Sequence, residues 1–457
     1  MKIVIVGNGK VGNLLATQLC KEDHDIVVVD QRESALQHTV NTLDVIAVLG
    51  NGASYDVQME AGVDSADLLI AVTNSDELNI LCCLVAKKLG AVHTIARVRN
   101  PEYTKQLVLM REEMGLSLSV NPELAAAHEV FRTLRFPEAS KVETFAKGRV
   151  ELVEFRIQPG SPLVDQPLSS LYRQHRVKVL ICAIQRGERV LIPDGNEVLR
   201  AGDRVHLTAS HKELAAFFKS VGVIKRPVKD VMIIGGSRIA YYLARMAIEC
   251  GMRIKIVERK HERCVELCQA LPKARIIEGD GSDQELLLEE GLRDMDAFVA
   301  LTGMDEENLI LSMYAGMEHV GKVIAKVDRQ SYLHALSGNI ETVISPKAVT
   351  ANQILRYVRA MQNSVGSNNV ETLYRLVEHQ VEALEFRVRQ HAHYLGVPLK
   401  NLKLKEGLLV ACILRKGRPY VASGEDTIEL GDSVIVVTTN TKLKDLTDIL
   451  ADVPERG

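Results

Sequence analysis

The chain is written twice. Val4-Ile5-Val6-Gly7 returns as Met232-Ile233-Ile234-Gly235, and Asp30 returns as Glu258, each acid closing an apolar run. Gly50-Asn51-Gly52 meets Gly279-Asp280-Gly281, and Ala71-Val72-Thr73 meets Ala300-Leu301-Thr302. Asp76-Glu77-Leu78-Asn79 then meets Asp305-Glu306-Glu307-Asn308, Ala96-Arg97-Val98 meets Ala325-Lys326-Val327, and Tyr103 meets Tyr332. Farther along, Glu154-Phe155-Arg156 matches Glu385-Phe386-Arg387 and Gly202-Asp203 matches Gly431-Asp432. An ordered series of this kind requires two copies of one folding unit, and each copy divides into two parts.

The first part of each copy alternates short apolar runs with amphipathic stretches. Ile3 to Val6, Ile26 to Val29, Val45 to Val48, Leu68 to Val72 and Thr94 to Val98 read as parallel strands covered on both faces. Gly12 to Cys20 and Leu78 to Leu89 read as helices between them. Asn121-Pro122 and Ser345-Pro346 each place a capping side chain before a proline, which starts a further helix. The second part is β-rich, with strands at Val150 to Ile157, Val179 to Gln185 and Arg204 to Thr208, turns at Gly187, Gly195 and Gly202, and a helix over Lys212 to Lys219. The expected fold class is therefore α/β: two tandem copies of a doubly wound parallel sheet of the Rossmann type, each followed by a small β-rich α+β domain. The expected domains are 1–140, 141–225, 229–370 and 371–457, with a linker over Lys225 to Lys229 dividing the copies.

Gly7-Asn8-Gly9-Lys10-Val11-Gly12 fits G-x-G-x-x-G after a strand and before a helix. Gly7 makes the tight turn, Gly9 lets the backbone approach a pyrophosphate, and Gly12 lets the helix pack closely on the strand. The anion then meets free amides at the positive helix end. Asp30 is placed to bond the two hydroxyls of an adenosine ribose, and its charge favours NAD over NADP. Asn51 and Gly52 end the third strand, Thr73 and Asn74 the fourth, and Arg97 with Val98 the fifth, where such sheets present ligands; Arg97 is the natural countercharge for a diphosphate. Asp76, Glu77 and Asn79 read as caps of the next helix. In the second copy Gly235-Gly236-Ser237-Arg238-Ile239-Ala240 puts Ser237 at the position of the middle glycine. Glu258 keeps the acid, Lys326 keeps the charge, Arg238 adds a cation, and Asp280 and Thr302 hold strand ends. An altered or weaker second site, open to another adenine nucleotide, is expected.

Several function classes drop out. Lys and Arg number 56 against 59 Asp and Glu, which lacks the basic excess of a nucleic-acid-binding surface. The longest apolar runs, Ile80 to Ala86 and Leu408 to Leu414, fall far short of the roughly 20 residues that span a bilayer. The first residues read as a strand, not a signal peptide. The eight cysteines form no C-x2-C pair; Cys264 and Cys268, one helical turn apart, read as two small hydrophobes on one helix face and not as a metal site, and thiols used this way indicate a reducing compartment. His391 and His393 read as an ordinary exposed pair on one strand face. With no constellation for proton or hydride transfer, the repeated sites suggest a sensor rather than an enzyme. An NAD-dependent oxidoreductase with an unrecognised substrate domain is the competing reading.

Taken in order and twice over, Gly7 to Gly12, Asp30, Gly50-Asn51-Gly52, Thr73 to Asn79 and Ala96-Arg97-Val98 resemble the RCK (KTN) domains that regulate potassium transport. The resemblance covers essentially the whole chain. It implies a non-enzymatic regulatory subunit held peripherally at the cytoplasmic face of the inner membrane. It implies NAD(H) as ligand, with ATP or ADP as further ligands. The partners implied are copies of the chain itself in a homo-oligomeric ring and a potassium-translocating membrane subunit of the TrkH or TrkG type. A regulator of potassium efflux or antiport would share the same domains. In such rings the helices beginning at Pro122 and Pro346 cross to a neighbouring domain, and their apolar spacing is equally compatible with packing on their own.

Overall fold

The computed structural model describes residues 1–100, 103, 115–135, 141–145, 149–222, 228–329, 342–364, 370–376, 380–440, 443 and 445–451. Tyr332, the second member of the tyrosine match, and positions 225–227 of the expected linker lie outside them. Val228, also assigned to that linker, is buried in a core.

The first sheet contains β1 (Lys2–Val6), β2 (Asp25–Asp30), β3 (Ile46–Leu49), β4 (Leu68–Ala71), β5 (His93–Arg97) and β6 (Leu118–Val120) in the order β3-β2-β1-β4-β5-β6. All its pairings are parallel. β1 and β4 are apolar and buried almost throughout because helices cover both faces. β3 departs from that expectation: Ile46 and Leu49 are exposed because this strand forms the sheet edge. β6 is a strand the apolar runs did not reveal, being three residues long with an exposed centre. The other strand ends match to within one or two residues.

After the β-rich strands β7 (Lys141–Phe145), β8 (Val150–Arg156), β9 (Leu180–Arg186), β10 (Arg189–Leu191) and β11 (Arg204–Ala209), the chain repeats the plan. The second parallel sheet holds β12 (Asp230–Ile234), β13 (Arg253–Glu258), β14 (Arg275–Glu278), β15 (Ala297–Ala300), β16 (Lys322–Lys326) and β17 (Thr342–Ile344), in the same order as the first. The β-rich sheets are five-stranded and antiparallel; the second uses β18 (Val370–Arg375), β19 (Glu382–Arg387), β20 (Leu408–Arg415), β21 (Arg418–Val421) and β22 (Ser433–Thr438). His391 and His393 are exposed, but in the loop after β19 and not on a strand.

The copies do not fold side by side as separate halves. One compact unit contains 1–134 and 228–355, and the other contains 135–227 and 356–457. In the first unit the helix Pro122–Arg135, capped by Asn121 Oδ1 accepting from the Leu124 amide, crosses onto the second copy. Its Ala126, Ala127, Val130, Phe131 and Leu134 share one core with Tyr242, Leu243 and Ala247 of the helix Arg238–Glu249. In the second unit Leu152, Cys182 and Ala183 share a core with Ala411, Cys412, Ile435 and Val437.

Candidate functional site

The first parallel sheet ends in a crevice of about 360 Å³, the size of a ligand site. The crevice straddles β1 and β4, where the strand order reverses and sheets of this type bind ligands. Gly7 has φ +97°, and a Cβ there would lie 2.9 Å from the Thr73 amide nitrogen, so the turn demands glycine. A Cβ on Gly12 would lie 2.0 Å from the Gly7 carbonyl oxygen; the helix Lys10–Cys20 is seated directly on the turn. A Cβ on Gly9 would meet no atom within 4 Å. Gly9 lines the crevice and the helix opens there with no side-chain cap, so its first amides remain for an anion.

Two devices stiffen the walls. Asp30 lines the crevice from β2, its Oδ2 accepting from the Asn8 amide at 2.7 Å and its Oδ1 from the Arg32 amide at 2.9 Å. The Asn8 side chain in turn donates to the Ala35 carbonyl and to Thr39 Oγ1, at 2.7 and 2.6 Å. On the other side the buried Asn79 ties two strand ends together. Its Oδ1 accepts from the Thr73 amide at 2.8 Å, and its Nδ2 donates to the Arg97 carbonyl at 2.8 Å. Arg97 donates to the Thr73 carbonyl, and burial, with the charge of Arg99, pushes its pKa below the ordinary arginine value.

The second crevice, of about 540 Å³, has the same frame. Gly235 has φ +92°, Glu258 accepts from the Gly236 amide at 2.6 Å, and Asn308 repeats the strut between Thr302 and the Lys326 carbonyl. Lys326 Nζ donates to the Thr302 carbonyl at 2.8 Å, as Arg97 does to Thr73. The differences lie at the turn. Ser237 Oγ accepts from the Ala240 amide and caps the helix, occupying a donor that the first copy leaves open. Arg263 Nε donates to the Gly236 carbonyl at 2.6 Å, and Arg263 lines the crevice with Arg259 and Lys260. Asp280 lines it too; the Ser282 amide and hydroxyl hold its carboxyl below the usual range.

Residues 3–122 and 231–346 match the TrkA-N domain, and residues 152–222 and 383–451 match the TrkA-C domain. The chain belongs to the TrkA family. It is 33% identical to the Trk system potassium uptake protein TrkA homolog of Archaeoglobus fulgidus, over 98% of this chain and 100% of that one. It is also 33% identical to the Trk system potassium uptake protein TrkA of Halomonas elongata, over 98% of both chains. Among solved structures, the GsuK RCK domain superposes with TM-score 0.62 at 17% identity, covering 95% of this chain and 92% of that one. The GsuK channel bound to NAD superposes with TM-score 0.63 at 17% identity, over 96% and 76% of the two chains. At that identity the likeness is one of fold.

In this TrkA-family chain the crevices gather Gly7, Gly9, Asp30, Gly52, Thr73 and Asn74 from the first copy and Gly235, Gly236, Ser237, Glu258, Asp280 and Thr302 from the second. Other expected residues stand back from the lining. Asn8 is buried behind Asp30, and Val11, Gly12, Val98 and Ile239 are buried. Lys10 and Arg238 are exposed at the first position of their helices, and Asn51 is exposed with its Oδ1 accepting from the Ala53 amide. Arg97 and Lys326 are drawn off by the carbonyls they bind. The capping assignments need correction. Ser75 caps the helix Asp76–Leu89, while Asp76 Oδ2 accepts from the Arg99 and Asn100 amides and Asn79 is the strut. Sequence reasoning missed Gln31 and Arg32 in the first crevice and Arg259, Lys260 and Arg263 in the second. Their signal was position: they follow the acid that ends the second strand.

Proposed function

We propose that the chain is a nucleotide-sensing regulatory subunit of a potassium-uptake system, binding NAD(H) in the first crevice and an adenine nucleotide in the second. It works through four domains at 1–140, 141–225, 229–370 and 371–457, as a homo-oligomeric ring beneath a TrkH- or TrkG-type membrane subunit at the cytoplasmic face of the inner membrane. The observation that carries the reading is the first crevice: an uncapped helix start, open space at Gly9 and a fixed carboxylate at Asp30, all at the point where the strand order reverses. These residues fit a dinucleotide. Gly9 and the amides after it would hold the diphosphate, Asp30 the ribose hydroxyls, and Thr73 with Asn74 the far end. The bound nucleotide supplies occupancy, not chemistry.

Occupancy has a short route to the rest of the chain. Each crevice opens a helix, and the helix of the second copy packs against Pro122–Arg135 of the first. Asn121 Nδ2 donates to the Tyr242 hydroxyl at 3.3 Å across that contact. A ligand shifts such a balance only by its difference in affinity between states, about 1.4 kcal/mol for each tenfold. Among the described residues no helix is long and apolar enough to cross a membrane; in this reading the pore belongs to the membrane partner.

The test is calorimetric titration of the full chain with NAD, NADH, ATP and ADP. Gly9→Val should weaken dinucleotide binding at least tenfold and lower the melting temperature only by the small cost of a poorer helix N-cap, because the new Cβ meets no atom of the core. Co-purification from detergent-solubilised membranes should recover a potassium transporter. Steady turnover of NADH with a metabolite, lost in Asp30→Ala, would instead establish an oxidoreductase.

A further inference from the structure

The two crevices differ most where an adenosine ribose would sit, and the difference is one of charge. In the first copy the residues after the ribose acid are Gln31 and Arg32, followed by Ala35 on the next helix; among the described residues Arg32 is the one cation lining that end. At the corresponding positions the second copy carries Arg259, Lys260 and Arg263, and all three line its crevice. One cation has become three around one carboxylate.

The exchange is built into the packing. In the first copy Asn8 fills the space beneath the turn, bonded to the Ala35 carbonyl and Thr39 Oγ1, with Asn13 Nδ2 also donating to Thr39. That neutral network is absent from the second copy, where Gly236 and Leu267 stand in place of Asn8 and Thr39. A Cβ on Gly236 would lie 2.7 Å from Leu267 Cδ1 and 3.0 Å from Glu258 Oε2, so a side chain there would have to displace both of these side-chain ends. Arg263 takes over, bonding the Gly236 carbonyl through Nε at 2.6 Å. Both oxygens of Glu258 accept backbone amides, from Gly236 at 2.6 Å and from Lys260 at 2.8 Å. The guanidinium of Arg263 also pairs with the exposed Glu266 at 2.6 Å, and Arg259 lies 4.0 Å from Asp280. Both are solvent-exposed partners that a phosphate displaces at little cost.

Resting on the nucleotide reading above, we propose that the second crevice takes a dinucleotide whose adenosine ribose carries a 2′-phosphate, recognised by Arg259, Lys260 and Arg263, while the first takes the unphosphorylated form. A phosphomonoester is close to doubly charged at neutral pH. A planar guanidinium binds such a group through paired N–H donors, and arginine is the residue that accommodates a ribose 2′-phosphate in sheets of this type. The first copy sets one cation, Arg32, against Asp30, whereas the second sets Arg259, Lys260 and Arg263 against Glu258, enough positive charge to outweigh the carboxylate's repulsion of a 2′-phosphate.

The experiment titrates the full chain with NADP and NAD, and separately with adenosine 2′,5′-bisphosphate and ADP, which isolate the extra phosphate from the 5′-diphosphate. NADP should bind one site at least tenfold more tightly than NAD does. Arg263→Ala, the residue of the first copy, should erase that preference and leave NAD binding at the first crevice unchanged. Arg259→Gln, at an exposed position, provides a second variant that does not touch the turn, and it should reduce the preference as well. Equal affinity for NAD and NADP at every site overturns the proposal and leaves the nucleotide reading standing, as does an NADP preference indifferent to both variants. Failure of all four ligands to bind sinks the nucleotide reading itself. Tighter binding of ADP than of the 2′,5′-bisphosphate at the second crevice assigns its cations to a 5′-polyphosphate and also overturns the proposal.

Discussion

Gly12 and Ala240 occupy the same place in the two copies and carry different constraints. At Gly12 a methyl group would sit 2.0 Å from the Gly7 carbonyl, a backbone atom with nowhere to move. At 240 the methyl is present and fully buried, and the helix begins with Ser237 as its cap. Gly12→Ala should therefore destabilise the first unit by about 1–3 kcal/mol through overpacking and weaken nucleotide binding at the first crevice. Ala240→Gly should cost only about 1 kcal/mol, the helix-propensity difference plus a small void. Denaturant midpoints of the two variants check both; equal effects would mean the turns are interchangeable.

At the scale of elements, the helix Pro122–Arg135 is the piece that one copy lends to the other. Its His128 is exposed at the surface, yet the desolvation of its ring by neighbouring atoms first, then the charges of Arg132 and Arg245, pushes its pKa below the ordinary histidine value. The unfolded chain therefore takes up a proton that the folded helix refuses. Stability from this residue is fully present above the unfolded pKa of about 6.5 and is lost as pH falls through it toward the folded value. Unfolding midpoints at pH 5.5 should lie below those at pH 7.5, with a smaller drop in His128→Gln. The drop should shrink without vanishing, because burial pushes His24, His93 and His175 down as well. An unchanged drop would show that the helix contact is insensitive to this charge.

For the whole molecule, the pairing of like with like decides what folds alone. Each compact unit takes one domain from each copy, and the cores run through both. A chain of residues 1–225 would expose Ala126, Val130, Phe131 and Leu134 together with the apolar face around Leu152 and Cys182. Two such chains carry the matching surfaces, so the fragment should be dimeric by light scattering, with the second molecule standing in for the missing half. A well-folded monomer of that fragment would contradict the shared cores.

Much of this was legible in the sequence because its causes are local. The β1 run Ile3 to Val6 needs burial on both faces, Gly7 needs a positive φ, and an acid that ends the second strand must stand beside the turn after the first; the duplication then makes each statement twice. Other features depend on what covers a surface, and periodicity does not record that. Asn79 reads as a cap until the Arg97 carbonyl, 18 residues on, is seen to need it. Arg97 reads as a ligand cation until the Thr73 carbonyl is found to hold it. The apolar stripe of Pro122–Arg135 marks a buried face, but only the packed structure shows that the cover comes from the second copy. The order of residues along the chain settled which elements form, because backbone conformation and burial pattern are properties of a few neighbours. Tertiary structure alone settled which polar groups satisfy one another, because hydrogen bonds between strand ends join residues that the chain keeps far apart.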